Sequence, residues 1–338
     1  MAATTGTAEP AGKPGHAQRR GRAARFRIAP WAPVMVLVLL CVIIAVINPN
    51  FLSFSNFVRI TQSAMIPLVL GLGATFIILM GSIDLSVEGI LALAAVCLSL
   101  LVLNGGNAND FGILGAVMVL AIGAGAGFVN GVVHVKMKIP SFMATLGMWF
   151  VGVGLANAIL GGIAVRINDG LIRGLAIERF LGLPWGVWVA LLALVIAWVI
   201  QDHTRLGRYM YALGGGEELA ALSGIPVARV RIATFTIAGV FYALGGILAA
   251  AQLGLGNALI GQGRLFTTIT AVVVGGTALT GGQGSVLQTL VGVMIVAVLS
   301  NGMVLMGVSP YVQQAVQGLM IIAAVAISID RMRMRIVK

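Results

Sequence analysis

Two carboxylic acids, Asp84 and Glu88, stand four residues apart in the segment ILMGSIDLSVEGILAL, between apolar runs long enough to enter a bilayer. Acids number only ten in 338 residues, so this pair asks for a chemical reason. Three remain open from the residues themselves. Asp84 can cap a helix that starts at Leu85, accepting from backbone N–H groups without an intrahelical partner, while Glu88 sits in the first turn at the positive end of the helix dipole. Both acids can instead line an aqueous path and accept hydrogen bonds from solute hydroxyls. As a third use, they carry protons. A carboxylate deep in a bilayer is costly and has to line water, pair, or sit near an interface. Capping and path-lining are compatible, because a broken helix end needs its backbone satisfied and a cavity beside it.

A second polar interruption occupies the matching place in the other half of the chain. There GGTALTGGQGS (Gly275–Ser285) supplies Thr277, Thr280, Gln283 and Ser285, against Ser82, Asp84, Ser86 and Glu88 in the first half. Paired small-residue interruptions in two halves point to a transport path in repeat-built transporters. Asn130 and Thr145 are further polar residues within apolar runs, suited to bonding a neighbouring helix or to lining the same path. Gln252, Asn257 and Gln262 lie near the predicted outer mouth.

The elements that must hold these groups follow from composition. The chain is 59% hydrophobic and 9% charged, against about 25% charged for a soluble domain. This excludes a water-soluble fold, and the continuous apolar runs exclude an alternating membrane barrel. The fold class is an all-α polytopic membrane protein with about ten transmembrane helices, an internal repeat and interrupted helices. The predicted spans are 31–47, 57–80, 85–103, 112–134, 140–161, 185–201, 231–254, 265–280, 286–306 and 311–329. Residues 1–30 read as a disordered basic cytoplasmic tail before an uncleaved first helix, 31–330 as the membrane domain, and 331–338 as a basic cytoplasmic end. With the N-terminus inside, 16 of the 21 Lys and Arg residues fall on the inner side, which places both termini in the cytoplasm. The net charge of +11 is thereby an orientation signal, and no nucleic-acid partner is expected. Cys41 and Cys97 lie within apolar runs and the three histidines are scattered, so no disulfide, metal or cofactor is expected.

The longest inner segment, 202–230, contains a short helix candidate. Gly215 or Gly216 can start it, Glu217 and Glu218 favour its first turn, and Gly224 with Pro226 ends it. Two turns of helix are unstable alone in water and need a surface to lie against, in this chain or in another subunit.

Four ordered segments carry a family resemblance: GSIDLSVEGILAL, NGVVHVKMKIPSFMATLGM (Asn130–Met148), TRLGRYMYALGGGEELAALSGI (Thr204–Ile225) and AVVVGGTALTGGQGSVLQTLVG (Ala271–Gly292). Together they resemble the permease subunits of bacterial ATP-binding-cassette sugar importers, in the ribose/xylose/arabinose-type branch, over roughly residues 35–330. The chain departs from that pattern at Ser82 and Glu88, where the family commonly has glycine. The resemblance implies a non-enzymatic subunit in the plasma membrane that forms the translocation path. Its implied partners are a cytoplasmic ATPase, a periplasmic or lipid-anchored sugar-binding protein, a second permease chain and membrane lipid. It assigns ATPase coupling to Gly214, Glu217, Glu218, Ala220, Ala221, Ser223 and Gly224. No GxxxxGK[ST] phosphate loop occurs, so active transport has to draw on a partner or an ion gradient. The alternative is an ion- or proton-coupled secondary transporter using Asp84 and Glu88. A membrane-embedded enzyme finds no HExxH or GxSxG signature to support it.

Overall fold

The computed structural model describes residues 31–328, so the basic tail (1–30) and the basic end (331–338) lie outside the described residues. Among the described residues thirteen α-helices follow in order: α1 (Ala32–Ile47), α2 (Phe54–Leu79), α3 (Val87–Leu101), α4 (Gly112–Lys136), α5 (Ser141–Leu160), α6 (Gly170–Ile177), α7 (Trp185–His203), α8 (Arg205–Gly215), α9 (Glu217–Leu222), α10 (Val227–Leu253), α11 (Arg264–Val274), α12 (Val286–Leu305) and α13 (Pro310–Ser328). Two-residue strands β1 (Val165–Arg166) and β4 (Leu255–Gly256) pair antiparallel, and β2 (Arg179–Phe180) pairs with β3 (Leu183–Pro184). Among the described residues, six helices are long and apolar enough to cross a membrane: α2, α4, α5, α7, α10 and α12.

Most helix limits fall within a few residues of the predicted spans. The predicted span 265–280 differs most: α11 ends at Val274, and the glycine-rich stretch beyond it is not helical. Glycine at Gly275 and Gly276 and the positive φ of 110° at Gly276 explain the early stop. Two helices escaped the sequence pattern. The first is α8, where only the shorter α9 was expected. The second is α6, whose first turn is capped by Asp169 accepting from Ile172 N–H at 2.9 Å.

The helices α2, α3 and α10 form the centre. From Leu68 to Leu79 every residue of α2 is buried, and α10 buries Phe235, Tyr242, Ala249 and Ala250. The outer helices α4 and α5 instead expose Phe128, Met143 and Phe150. An apolar surface of that kind suits lipid, with the small residues turned inward.

The contact of α4 with α10 illustrates why glycine is so frequent. Gly123, Gly127 and Gly131 recur every four residues and so share one face of α4. A side chain at Gly127 would overlap the Phe235 carbonyl, and one at Gly123 would meet Ala243 and the Gly239 carbonyl. The backbones touch directly, which is the close approach that small residues permit between membrane helices.

The two ends of the bundle differ. Ser86 and the joint before it lie at one end of α3, beside Ser141, whose Oγ accepts from Ile83 N–H at 3.1 Å. At the other end Asn104 bridges to Ile167, and the β1–β4 pair closes the surface. Arg173 donates to the Ala251 carbonyl at 2.8 Å, placing a cation at the C-terminus of α10.

Gly127→Val forces backbone separation of α4 from α10 and should destabilise the purified chain by about 2–3 kcal/mol. Gly125→Ala meets nothing within 4 Å and should leave the thermal unfolding midpoint unchanged or slightly raised. Equal midpoints for the two variants would contradict the packing.

Candidate functional site

The first joint, Met80–Ser86, breaks the path between α2 and α3. Several of its backbone N–H groups find acceptors in neighbouring elements. Asp84 Oδ1 accepts from Ser86 N–H at 2.8 Å and from Ser86 Oγ–H at 2.6 Å. Asn130, on α4, donates from Nδ2 to Ser86 Oγ at 2.9 Å. Leu85 N–H donates to Thr145 Oγ1, on α5, at 2.9 Å, and that hydroxyl donates to the Ser141 carbonyl. Ser82 N–H donates to the Ile77 carbonyl at 3.1 Å. Ser82, Asp84, Ser86, Glu88, Asn130 and Thr145 are all buried. Asp84 therefore holds the turn before α3, which begins at Val87 instead of Leu85, with Ser86 at the N-cap position and no side-chain cap on the helix. The Tyr242 side chain is fully buried, with its hydroxyl beside Asp84.

Glu88 lies in the first turn of α3, but its carboxylate serves another helix. Glu88 Oε1 accepts from Leu265 N–H at 2.9 Å, at the start of α11. Gly263, the residue before α11, makes no side-chain cap, so Glu88 supplies the cap from the other half of the chain. The segment leading into α11 runs along α3: a side chain at Gly256 would overlap Ser99, and one at Gly261 would lie 2.7 Å from the Glu88 carbonyl. The chain thus passes about three turns along α3, from Ser99 to Glu88, before α11 begins, roughly 16 Å. At 11 residues, α11 is about 16 Å long and cannot cross a hydrocarbon core of about 30 Å.

The second joint, Gly275–Ser285, lies against the first. Gly282 N–H donates to the Leu79 carbonyl at 2.8 Å. Thr277 is buried with its Oγ1 unpartnered, whereas Thr280 and Gln283 are exposed at the surface. Within the joint Ala278 N–H donates to the Gln283 carbonyl at 3.0 Å. Ser285 Oγ caps α12 by accepting from Gln288 N–H at 3.2 Å, and Gln201 at the end of α7 accepts from Val286 N–H at 2.8 Å.

Both joints also touch α8. A side chain at Gly214 would overlap the Leu79 carbonyl and Gly282 N, and would lie 2.9 Å from Gly281 C. A side chain at Gly281 would sit 2.7 Å from Gly81 N and 3.0 Å from Gly214 Cα. Three bare backbones converge there. Tyr211, one turn earlier on α8, donates to the Gly284 carbonyl at 2.7 Å. Burial, with the Asp202 carboxylate adding to it, pushes the Tyr211 phenol up to about 12, so it remains a neutral donor.

The helix α9 follows α8 after one residue, Gly216. Of the residues assigned to coupling, Ala220 is buried, while Glu217, Glu218, Ala221, Ser223 and Gly224 are exposed. Gly224 has φ +80°, the left-handed conformation that ends the segment. Beside them Leu219 and Leu222 are 71% and 85% exposed, an apolar pair on a two-turn rod. Glu217 is held to Arg231 of α10 by a 2.6 Å ion pair, the one salt bridge among the described residues.

The two groups predicted from sequence thus form one assembly through α8. Sequence reasoning missed Gly81, Gly281, Tyr211, Gln201, Leu219, Leu222 and Arg231. The repeated glycines of each joint were a usable signal, but nothing in the linear order places Gly214 between them.

The family described as branched-chain amino acid transport system / permease component matches residues 56–325. The ribose import permease protein RbsC of Escherichia coli strain K12 is 36% identical over 266 residues, covering 78% of this chain and 82% of the relative. The fructose import permease protein FrcC of Rhizobium meliloti is 34% identical over 273 residues, 78% and 75% of the two chains. The L-arabinose ABC transporter permease protein AraH of Azospirillum brasilense is 32% identical over 262 residues, 78% and 76%. No solved structure matches the chain.

Glu88→Ala leaves Leu265 N–H buried without an acceptor and should cost about 1–3 kcal/mol in chemical or thermal denaturation. Glu88→Gln keeps a carbonyl oxygen at the same place and should cost less. The reverse order would show that Glu88 does not cap α11.

Proposed function

Since the chain belongs to the permease-component family of the branched-chain amino acid transport system type, we propose that it is the membrane subunit of an ATP-driven importer of a monosaccharide or sugar-like solute. It is a transport subunit, with ATP hydrolysis in a partner chain. The names of its relatives, which import ribose, fructose and L-arabinose, support the solute class.

One observation carries the mechanism: Gly214 of α8 is wedged between Gly81 and Gly281–Gly282, the two helix breaks. A cytoplasmic ATPase gripping α9 by Leu219, Leu222 and Glu218 would move α8, and α8 bears directly on both joints. Alternating access then follows as a shift between two arrangements of the halves about the joints. Ser82, Asp84, Ser86, Glu88, Asn130, Thr145, Thr277, Thr280, Gln283 and Ser285 make up the joints and their supports on this reading. The unpartnered Thr277 hydroxyl is the group best placed to meet a solute hydroxyl once the joints part.

The remaining architecture follows the same reading. Helices α1, α2, α3, α4, α5, α7, α10, α11, α12 and α13 make ten crossings, with α11 completed by the chain on either side of it. The α9 end faces the cytoplasm, both termini lie there, and residues 202–230 form the coupling segment. The permease pairs with a second copy in the inner membrane, with a binding protein at the β1–β4 end. The secondary-transporter alternative gains no support, because Asp84 and Glu88 are each engaged by backbone N–H groups.

Vesicles holding the chain with its ATPase and binding protein should accumulate one of radiolabelled D-ribose, D-fructose or L-arabinose when ATP is supplied and an uncoupler has collapsed the proton gradient. Uptake that needs the gradient and not ATP overturns the proposal. In the same assay Gly214→Ala should lower uptake at least about tenfold by forcing the joints off α8. Gly215→Ala, which meets nothing within 4 Å, should retain it. Equal uptake by both variants rules out α8 as the lever.

A further inference from the structure

A cavity of about 450 Å³ opens at the α9 end of the bundle, between the α4–α5 turn and the start of α10. His134, Lys138 and Arg231 line it, with Glu217 of α9 and the apolar Ile139 and Val227. Its cations outnumber its single carboxylate, which is unusual in a chain with so few charges. The ion pair Glu217–Arg231 uses only Nη2 of the guanidinium, and Arg231 Nε is buried with no partner. His134 Nδ1 lies 2.7 Å from the Ile139 carbonyl, which can only accept, so Nδ1 carries the ring proton. The second ring nitrogen, Nε2, is buried without a partner. Of these two, Arg231 Nε–H is a donor that an anionic ligand can satisfy, and leaving it unmet in the cavity wall is costly; Nε2 of His134 is an acceptor and is not met by an anion.

The surroundings say which ligand. The cavity sits where α4, α5 and α10 end, the level of the headgroups for helices that cross a bilayer. Met137, Phe142 and Met143 are exposed next to it on the α4–α5 side. A soluble anion has no use for that apolar margin, whereas acyl chains do. Basic pockets between membrane helices on the cytoplasmic side are suited to anionic headgroups.

We propose that the cavity lined by His134, Lys138 and Arg231 binds the phosphodiester headgroup of an anionic phospholipid. The phosphate oxygens accept from Lys138 and Arg231, and the acyl chains lie along Met137, Phe142 and Met143. Glu217 competes with the phosphate for Arg231. Lipid occupancy therefore loosens the tie between α10 and α9, and ties the position of the coupling helix to the charge of the leaflet.

The test uses the full chain in nanodiscs of phosphatidylcholine with phosphatidylglycerol, reading retained lipid by native mass spectrometry. It needs no ATPase or solute, so its outcome is independent of the transport reading. Wild type should retain phosphatidylglycerol preferentially. Lys138→Asn removes one charge and should lower the preference about fivefold. Asparagine tolerates the positive φ of 55° at this position, so the turn is kept. Glu217→Gln should raise the preference by removing the competitor. Lys136→Asn, an exposed lysine outside the cavity, should leave it unchanged. The proposal is overturned if Lys136→Asn matches Lys138→Asn, since the effect is then general surface charge. It is also overturned if millimolar inorganic phosphate displaces the lipid, which assigns the cavity to a soluble phosphate. Absence of any preference of the wild type for phosphatidylglycerol equally overturns it.

Discussion

Ending a helix within an apolar bundle strands backbone N–H and C=O groups, and those that are buried have no water to take them. The arrangement of polar residues in this chain follows from that constraint. Leu85 N–H goes to Thr145, Ser86 N–H to Asp84, Leu265 N–H to Glu88 and Val286 N–H to Gln201. Each acceptor except Asp84 comes from a helix distant in sequence. The few polar side chains of the spans are thus spent on tying broken ends to intact helices. The same bonds fix where α3, α11 and α12 begin.

That constraint also bears on how the site works. Side-chain caps hold the ends of the half-helices, whereas Gly81, Gly214 and Gly281 meet through bare backbone, joined by the bond from Gly282 N–H to the Leu79 carbonyl and flanked by the Tyr211 bond to the Gly284 carbonyl. Surfaces without side chains can slide without unlocking rotamers. The hydrogen-bonded caps resist separation. The bundle therefore divides into capped pieces that keep their internal geometry and one glycine seam where relative motion is cheap, and α8 enters at that seam.

Much of this was legible in the sequence, for physical reasons that differ by element. Long apolar runs fix α2, α4, α10 and α12 to within a few residues, because burial in lipid demands them whatever the tertiary contacts. The joints were legible because glycine and small polar residues cannot continue an apolar span. The destination of Glu88 was not. Its position four residues after Asp84 reads as a first-turn acid serving its own helix, and only folding brings Leu265 beside it across 177 positions. The helix α8 carries a readable signal in Leu206, Met210 and Leu213 at helical spacing on its core-facing side, whereas its contact with the glycine joints leaves no pattern in the linear order. The early end of α11 was obscured by Ala278 and Leu279, which carry apolar residues past Gly275 and Gly276.

Glu88 has a further consequence. It makes a charge–backbone bond between the first turn of α3 and the head of α11. Separating those two elements would leave both a carboxylate and an N–H unpaired in an apolar setting, a cost of several kcal/mol. On the proposed coupling, a conformational cycle driven through α9 has no reason to break that bond when the glycine seam offers an easier displacement. The start of α11 should accordingly travel with α3, a first-half helix, and the boundary between moving bodies falls between α11 and the joint that follows it instead of between the two sequence halves.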